Sequence, residues 1–258
     1  MIKAAFFDID GTLVPFGQRE ISDSTCDVLD ALRAQGIGVF VCSGRPRFMI
    51  HNLRDYPFDG FICCNGGRIL LDGKSLLDRP IETDAVADVV GISQENGIAC
   101  VAFGADAMCL NFHSELERRI SDGLHVDLPV GNLEAFINQT IYQFTIYATQ
   151  EQERRIYAPL QGRVLFPRWH PDFMDVTPTA TSKAGGIAVV AEHFGWRMEE
   201  LMGFGDGGND IPMLESVGCA VAMGNATDEV KARAHYVTAD AADDGIAAAL
   251  RHFGLLRN

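Results

Sequence analysis

A short apolar run at the start of the chain ends in two aspartates, and this feature limits the fold more than any other. Residues 4–12 read AAFFDIDGT, so that Asp8 and Asp10 stand at i and i+2 beside a glycine. Side chains at this spacing share one face of an extended segment, and both carboxylates therefore reach the same small volume. At about 4 Å they would repel by roughly 4 kcal/mol at an effective dielectric constant of about 20, which favours a bound cation or proton. Because aspartate and glycine also end strands in simple turns, the motif alone leaves a turn and a Mg²⁺ site as alternatives.

Further apolar runs follow, and most of them end in polar loops. They cover residues 37–42, 60–64, 201–205 and 219–222. A helix is predicted between the apolar run at the start of the chain and the run at residues 37–42, with Ser22 as its N-cap and Gly36 just after its end. Strands that alternate with helices in this way are typical of a parallel sheet whose polar loops gather at the carboxyl ends of the strands.

The pattern changes in the middle of the chain. Residues 68–77 suggest a hairpin that turns at Asp72 and Gly73. Helices are predicted over residues 83–96, 114–123 and 151–160, and strands near 99–103, 107–110 and 141–148, with two more strands before residue 178. We therefore predict an α/β protein with a Rossmann-like parallel-sheet core, formed by residues 1–81 and 179–258, and an inserted α+β cap domain over residues 82–178.

Composition excludes several classes of partner. The 258 residues carry a formal net charge of -14, which argues against nucleic acid or an anionic membrane surface as the main partner. No apolar run approaches the roughly 18 residues of a membrane span, and no signal-peptide pattern opens the chain. The cysteines are odd in number and scattered, which predicts buried thiols and a cytoplasmic location. They are Cys26, Cys42, Cys63, Cys64, Cys100, Cys109 and Cys219.

A second acidic loop, GFGDGGND, covers residues 203–210 between a predicted strand and a helix. It contains G-x-G-x-x-G, the pattern of a dinucleotide-binding turn. That interpretation fails because Asp206 stands inside the turn, where it would repel a pyrophosphate. Asp206 lies instead at a strand end that can join Asp8 and Asp10, and together they predict an oxygen-rich Mg²⁺ site.

Two further features point to phosphate. Ser43 and Gly44 follow an apolar strand and offer a hydroxyl and backbone N–H groups that suit phosphoryl oxygens. Lys183 opens a predicted helix, where the helix dipole disfavours a lysine. A lysine at this position is suited to neutralising phosphate charge, although each of these features alone is a weak signal.

Together these features resemble the haloacid dehalogenase-like phosphohydrolases, and within them the sugar-phosphatase branch with a large α/β cap. DIDGT, the Ser43 strand end, Lys183 and GDGGND stand in the family's order along the whole chain. The RWHPDFMDV run at residues 168–176 extends the resemblance to bacterial hexose-phosphate phosphatases. Asn65-Gly66 also matches a pair that this branch usually carries.

The resemblance implies a role for each acidic residue. Asp8 would attack phosphorus and form an aspartyl-phosphate, while Asp10 would protonate the leaving alcohol and later deprotonate water. Mg²⁺ would be held by the Asp8 carboxylate, the Asp10 backbone carbonyl and Asp206, with Asp210 supporting the metal from behind. Covalent attack by a carboxylate on a dianion requires that its charge be cancelled, which a metal and a lysine can do.

The same resemblance implies the substrate contacts. The phosphoryl oxygens would be bound by Ser43, Gly44, Lys183 and Asn209. Candidates for contacts with the rest of the substrate are Arg168, Trp169, His170 and Asp175 in the insert, with Arg45 and Asn65 in the core.

The expected activity is Mg²⁺-dependent hydrolysis of small phosphorylated metabolites, with sugar phosphates first. A phosphotransferase or mutase would use the same aspartyl-phosphate intermediate, and it stays open as an alternative. A phospho-acceptor signalling domain also presents paired carboxylates, a hydroxyl and a lysine at strand ends, but it needs no inserted domain. The sequence does not define the oligomeric state.

Overall fold

A computed structural model gives the tertiary structure and describes residues 1–124, 126–168 and 170–256. The chain divides into two compact units. The first unit comprises Met1–Arg45, Met49–Leu77 and Ser182–Asn258, and the second comprises Pro46–Phe48 and Asp78–Thr181. The sequence-based boundaries at residues 82 and 178 both fall inside the second unit.

The regular elements are strands and α-helices that alternate in the first part of the chain and again from Lys183 onward. The strands are β1 (Ala4–Phe7), β2 (Gly38–Cys42), β3 (Gly60–Cys63), β4 (Arg68–Leu71), β5 (Lys74–Asp78), β6 (Cys100–Phe103), β7 (Met108–Leu110), β8 (Gln143–Ile146), β9 (Val164–Leu165), β10 (Met174–Pro178), β11 (Leu201–Gly205), β12 (Cys219–Ala222) and β13 (Tyr236–Val237). The α-helices are α1 (Asp23–Arg33), α2 (Thr83–Glu95), α3 (Glu115–Leu124), α4 (Leu133–Phe136), α5 (Gln150–Leu160), α6 (Lys183–Phe194), α7 (Ile211–Ser216), α8 (Asp228–Lys231) and α9 (Gly245–His252).

The sheet of the first unit has the strand order β13-β12-β11-β1-β2-β3-β4-β5. The pairs from β13 to β3 are parallel, whereas β4 runs antiparallel to β3. Parallel neighbours need long crossovers, and α1, α7 and α8 lie in those that follow β1, β11 and β12. This arrangement confirms the predicted α/β class with a parallel-sheet core.

The strand order reverses between β1 and β11. From β1 the chain builds outward to β2 and β3, and from β11 it builds outward in the other direction to β12 and β13. In open α/β sheets such a reversal leaves a crevice at the carboxyl ends of the two central strands, where ligands bind. Both acidic loops predicted from the sequence follow these two strands.

Buried aromatic residues fix the two faces of the central strands. Phe6 stacks on Phe40 with ring centroids 5.0 Å apart, and Phe7 stacks on Phe204 at 4.7 Å. Because neighbouring residues of a strand point to opposite faces, Phe6 and Phe7 anchor β1 from both sides. The strand is thus held firmly, and so is the loop that begins at its end.

The second unit contains an antiparallel sheet with the strand order β7-β6-β8-β10-β9. Helices α2 and α5 pack on one face of it through buried apolar residues, including Val89, Ile156 and Phe144. The residues of β8 and β10 that alternate with this apolar set are polar and also buried. These residues are Gln143, Thr145, Asp175 and Thr177.

Several local predictions are confirmed with small shifts of their ends. Ser22 accepts a hydrogen bond from the Thr25 backbone N–H at 3.0 Å and caps α1 as predicted. Asp72 and Gly73 both have positive φ and connect β4 to β5, as the hairpin pattern requires. The short helix α4 was not predicted. Among the described residues, no helix combines the length and the apolar character needed to cross a membrane.

Candidate active site

Two carboxylates meet where β1 and β11 end. Asp8 follows β1, and its backbone N–H donates to the Phe204 carbonyl of β11 at 3.0 Å. Asp206 follows β11 directly, and only 7% of Asp8 and 6% of Asp206 are exposed. The parallel pairing of the two strands therefore brings together carboxylates that are 198 residues apart in the sequence.

Lys183 is the cation of this site. Ser182 caps α6 by accepting from the Gly185 backbone N–H at 2.9 Å, which leaves Lys183 as the first residue of the helix. Its Nζ atom donates to Asp8 Oδ1 at 2.6 Å and to Asp210 Oδ1 at 2.5 Å. Burial alone would lower the pKa of this fully buried lysine, but the charges of Asp210 and Asp8 outweigh that effect and raise the pKa above its ordinary value. The ammonium therefore stays charged.

Asp210 organises the loop that carries Asp206. Its Oδ2 atom accepts from the backbone N–H groups of Asp206 at 3.0 Å and Gly207 at 2.9 Å. A Cβ atom on Gly205 would collide with the Asp210 carboxyl, so only glycine lets the side chain fold back this way. Asp210 thus holds the backbone of the loop that carries Asp206.

Asp206 is oriented by two side chains that the sequence analysis gave no role. Thr12 Oγ1 donates to Asp206 Oδ1 at 2.9 Å, and Asn225 Nδ2 lies 3.3 Å from Asp206 Oδ2. Gly11 has a φ of +85°, and a Cβ atom there would collide with the Asp206 carboxylate. Thr12 could have been recognised from its place in DIDGT. Asn225 follows a buried strand in a similar way, but nothing in its neighbourhood marks it in the sequence.

The electrostatics of this site fit a divalent cation. One carboxylate oxygen from each of Asp8, Asp206 and Asp210 lies within 4.8 Å of the others, and Lys183 offers one positive charge against these three groups. Burial raises the pKa of Asp8 well above its usual value and that of Asp206 to about 7, with the neighbouring carboxylates adding to both effects. A buried, oxygen-only cluster with excess negative charge is the donor set that Mg²⁺ prefers. The residues present therefore fit this ion.

The Asp10 carboxylate is separate from this cluster. Arg45 binds both of its oxygens, with Nε 2.6 Å from Oδ2 and Nη2 2.7 Å from Oδ1. The sequence analysis assigned Arg45 to the substrate, whereas the structure shows it paired with Asp10. The two side chains face each other because β1 and β2 are parallel neighbours and each residue follows the end of its strand.

Ser43 and Gly44 lie in the polar loop that directly follows β2. The Ser43 hydroxyl oxygen accepts from the Arg45 backbone N–H at 3.1 Å, and the Ser43 carbonyl accepts from the Asn65 N–H at 3.1 Å. Within the described part of the chain, the hydroxyl proton of Ser43 and the N–H of Gly44 have no acceptor. Donors of this kind are suited to binding oxyanions.

Two side-chain amides, those of Asn65 and Asn209, lie next to Gly44. Asn209 Nδ2 donates to Asn65 Oδ1 at 3.0 Å, which joins the loop after β3 to the loop after β11. A Cβ atom on Gly44 would lie 3.3 Å from the Asn65 amide and 3.5 Å from Asn209 Nδ2. Three of the predicted phosphate residues, Ser43, Gly44 and Asn209, therefore lie close together. Asn65, a predicted substrate contact, is buried and accepts from Asn209.

The candidates in the second unit have other partners. Arg168 Nη1 donates to the carbonyls of His170, Pro171 and Phe173, and Nη2 lies 2.9 Å from Glu153. This guanidinium holds its own loop together, which differs from the predicted substrate contact. Among the buried side-chain nitrogens of the described residues, Arg168 Nε is the one that has no hydrogen-bond partner.

His170 and Asp175 are also held by neighbours. The His170 ring stacks on Phe173 at 4.9 Å, and burial lowers its pKa. Asp175 is buried in β10 and accepts from Thr145 Oγ1 at 2.8 Å. Trp169, the remaining candidate, lies outside the described residues.

The site combines buried aspartates, a buried lysine and unpaired donors of Ser43 and Gly44 at the carboxyl edge of a parallel α/β sheet, an arrangement suited to the chemistry of phosphate esters. The chain belongs to the haloacid dehalogenase-like hydrolase family, which matches residues 5–250. Within that family it is a phosphatase, as the similarity over nearly its whole length to a protein named as a putative phosphatase and to a sugar phosphatase of known structure indicates.

One curated relative and two solved structures are similar to nearly the whole chain. A Bacillus subtilis protein named putative phosphatase YkrA is 32% identical over 265 residues, with 99% of each chain covered. The structure of the HAD subclass IIB sugar phosphatase BT4131 is 36% identical, with a TM-score of 0.90, and covers 98% of this chain and 100% of that one. A structure reported for a conserved trigonal-bipyramidal intermediate in a phosphoryl-transfer superfamily is 36% identical, with a TM-score of 0.93, and covers 99% and 100%.

More distant relatives are named for other substrates. Bacillus subtilis YitU, a 5-amino-6-(5-phospho-D-ribitylamino)uracil phosphatase, is 27% identical and covers 95% of both chains. Escherichia coli YbhA, a pyridoxal phosphate phosphatase, is 28% identical and covers 93% of this chain and 94% of its own. Membership of the family therefore does not by itself define the leaving group.

Proposed function

We propose that this protein is a Mg²⁺-dependent phosphatase that hydrolyses small phosphorylated metabolites, hexose and other sugar phosphates foremost, through an aspartyl-phosphate intermediate. The observation that carries the proposal is the contact between Lys183 Nζ and Asp8 Oδ1 at 2.6 Å, inside a buried acidic cluster. The sugar preference is supported by the 36% identity to a sugar phosphatase over nearly the whole chain.

The first half-reaction makes Asp8 the nucleophile. One carboxylate oxygen of Asp8 forms a bond to phosphorus while the bond from phosphorus to the sugar oxygen breaks. Asp10 gives a proton to that oxygen, so that the sugar leaves as a neutral alcohol. Lys183 opposes the negative charge of the phosphoryl group and so favours the approach of a carboxylate to a dianion.

The second half-reaction regenerates the enzyme. Asp10, now ionised, takes a proton from water as the water oxygen bonds to phosphorus. The bond between phosphorus and the Asp8 oxygen then breaks, inorganic phosphate leaves, and Asp8 is again a free carboxylate. One carboxylate as nucleophile and one as acid and base are sufficient for both halves.

The metal is assigned to the residues around Asp8. The Asp8 carboxylate, the Asp206 carboxylate and the Asp10 backbone carbonyl would hold Mg²⁺, and Asp210 would hold the Asp206 loop. When bound, the ion neutralises the negative charge that the phosphoryl group brings next to Asp8. Ser43, together with Gly44 and Asn209, would bind and orient the phosphoryl oxygens.

The second unit is assigned the choice of leaving group. All proposed reaction and phosphate residues belong to the first unit, and we propose that discrimination between sugars uses further groups in the second. The second unit offers buried polar groups such as Asp175. A site that hydrogen-bonds a substrate hydroxyl rejects analogues that lack it, because buried polar groups are then left unpaired.

The protein is assigned to a reducing compartment such as the cytoplasm. This part of the proposal is supported by the cysteines, all of which are free thiols. They are Cys26, Cys42, Cys63, Cys64, Cys100, Cys109 and Cys219.

A panel of phosphorylated metabolites tests the proposal. Hexose, pentose, pyridoxal and flavin-precursor phosphates are assayed for phosphate release with Mg²⁺ and with a chelator, and Asp8→Asn serves as the inactive control. We expect release that requires both Mg²⁺ and Asp8 and that is fastest with sugar phosphates. Phosphate transferred to an added sugar instead of water would indicate a phosphotransferase, and activity that survives chelation would contradict the metal assignment.

A further inference from the structure

Asn225 lies in the loop after β12 and connects three other segments. Its Nδ2 atom donates to the Gly11 carbonyl at 2.9 Å and lies 3.3 Å from Asp206 Oδ2. Its Oδ1 atom accepts from the Ala241 backbone N–H at 2.9 Å. The amide therefore uses both hydrogens of its nitrogen and its oxygen, each toward a different segment.

This hydrogen-bond pattern fixes the orientation of the amide. Nδ2 faces two oxygens, and Oδ1 faces an N–H group, so the reverse orientation would oppose acceptor to acceptor and donor to donor. Asn225 itself is exposed at the rim of the site, although the groups it contacts are more enclosed. Aspartate would repel the Asp206 carboxylate, and serine is too short to span the same distances.

The contacts of Asn225 bear on two proposed metal ligands at once. One of these ligands is the Asp206 carboxylate, whose Oδ1 accepts from Thr12 and whose Oδ2 faces Asn225. The Gly11 carbonyl belongs to the residue that follows Asp10, whose own carbonyl is the other proposed ligand. By holding Gly11 and Asp206 together, Asn225 fixes the loop after β1 relative to the loop after β11.

We propose that Asn225 is a positioning residue of the metal centre, which sets the relative placement of Asp206 and the Asp10 carbonyl without touching the substrate. The proposal rests on the Mg²⁺-dependent function proposed above. Residues that orient metal ligands typically change metal affinity or activity by about 10-fold to 100-fold when they are removed. For an exposed amide at 3.3 Å from its carboxylate, we expect a loss at the lower end of that range.

The test measures Mg²⁺ binding directly, by isothermal titration calorimetry on the full chain without substrate. Asn225→Ala is compared with the wild-type protein and with Asn111→Ala. Asn111 is a matched control because its Nδ2 donates to the Ile98 carbonyl at 3.0 Å and its Oδ1 accepts from the Cys100 N–H at 2.9 Å, in the second unit. The two substitutions thus remove the same kinds of backbone hydrogen bond.

We expect Asn225→Ala to weaken Mg²⁺ binding about tenfold and Asn111→Ala to leave it unchanged. A second readout is the rise in the midpoint of thermal unfolding on adding Mg²⁺, which reports binding even in a less stable variant. If folded Asn225→Ala binds Mg²⁺ as tightly as the wild type, the inference about Asn225 is wrong, while the proposed function is unaffected. A wild-type protein that binds no Mg²⁺ overturns the proposed function as well.

Discussion

Arg45 binds both carboxylate oxygens of Asp10, at 2.6 and 2.7 Å. This bidentate geometry is the strongest arrangement available to an arginine and a carboxylate, and it fixes the direction of the Asp10 side chain. Asp10 is the proposed acid and base of the reaction, so its orientation decides how well it meets the leaving oxygen. We therefore expect Arg45 to act on the reaction through Asp10.

Replacing Arg45 by glutamine should therefore lower kcat in a way that depends on the leaving group. We expect a loss of up to about 100-fold with a sugar phosphate, because a misplaced acid protonates the alcohol poorly. The loss with p-nitrophenyl phosphate should be much smaller, since p-nitrophenolate leaves without a proton. Steady-state kinetics with both substrates measure the difference.

Arg33→Gln is the control for this experiment, because Arg33 pairs with Asp59 at the surface of the same unit. It should change neither rate. A rise in KM with an unchanged kcat would mean that Arg45 contacts the substrate, as the sequence analysis expected.

Asp8→Asn should abolish turnover and leave the fold intact, because an amide has nearly the same shape but is a poor nucleophile. We expect kcat to fall by roughly 10⁴-fold or more. Mass spectrometry of the quenched protein should show no phosphorylated form. Asp10→Asn should behave differently with p-nitrophenyl phosphate, because Asp8 is still phosphorylated while the hydrolysis that needs a base is slowed. Phosphorylated Asp8→Asn protein would rule out Asp8 as the nucleophile.

Lys183→Met should destabilise the protein, because Asp8 and Asp210 would lose the only ammonium that contacts them among the described residues. Breaking a buried pair in this way typically costs roughly 3–5 kcal/mol in the free energy of unfolding. Urea unfolding measures the change, and Lys74→Met, at an exposed position, is the control. Adding Asp210→Asn to Lys183→Met should recover part of the loss. Unfolding midpoints that match the wild type would show that the buried contacts contribute little.

Stabilisation by Mg²⁺ should increase with pH. The folded protein holds the pKa of Asp206 at about 7, above its ordinary value of 3.8. Without metal, this raised pKa favours the folded state at low pH, and the contribution is lost as pH rises toward 7. Mg²⁺ needs the ionised carboxylate, so its binding strengthens over the same range.

Thermal unfolding with and without Mg²⁺, at about pH 5.5 and about pH 8, tests this dependence. We expect a small rise of the midpoint at the lower pH and a larger one at the higher pH. Asp206→Asn should show little rise at either pH. An equal rise at both values in the wild type would indicate that the ligands are already ionised at low pH.

The sequence by itself determined the class of the fold and the residues from which the site is built. Apolar runs of strand length that alternate with helical patterns indicate a parallel sheet. The reason is that two parallel neighbouring strands can be joined only by a long crossover, which is usually a helix. The loops after β1, β2 and β11 must then gather at one edge, which is why Asp8, Ser43 and Asp206 could be named before the structure. These inferences depend on the order and spacing of apolar and polar residues along the chain, which the sequence contains directly.

Only the tertiary structure decided which side chains are partners. Arg45 turned out to bind Asp10, Arg168 its own loop, and Asn225 the carboxylate of Asp206. Each of these contacts depends on the register of neighbouring strands and on the path of a loop, and one residue of shift would change it. Whether a polar group meets a substrate, a metal ligand or a backbone carbonyl is set by distances in space between residues far apart in the chain, and composition and periodicity carry no information about those distances.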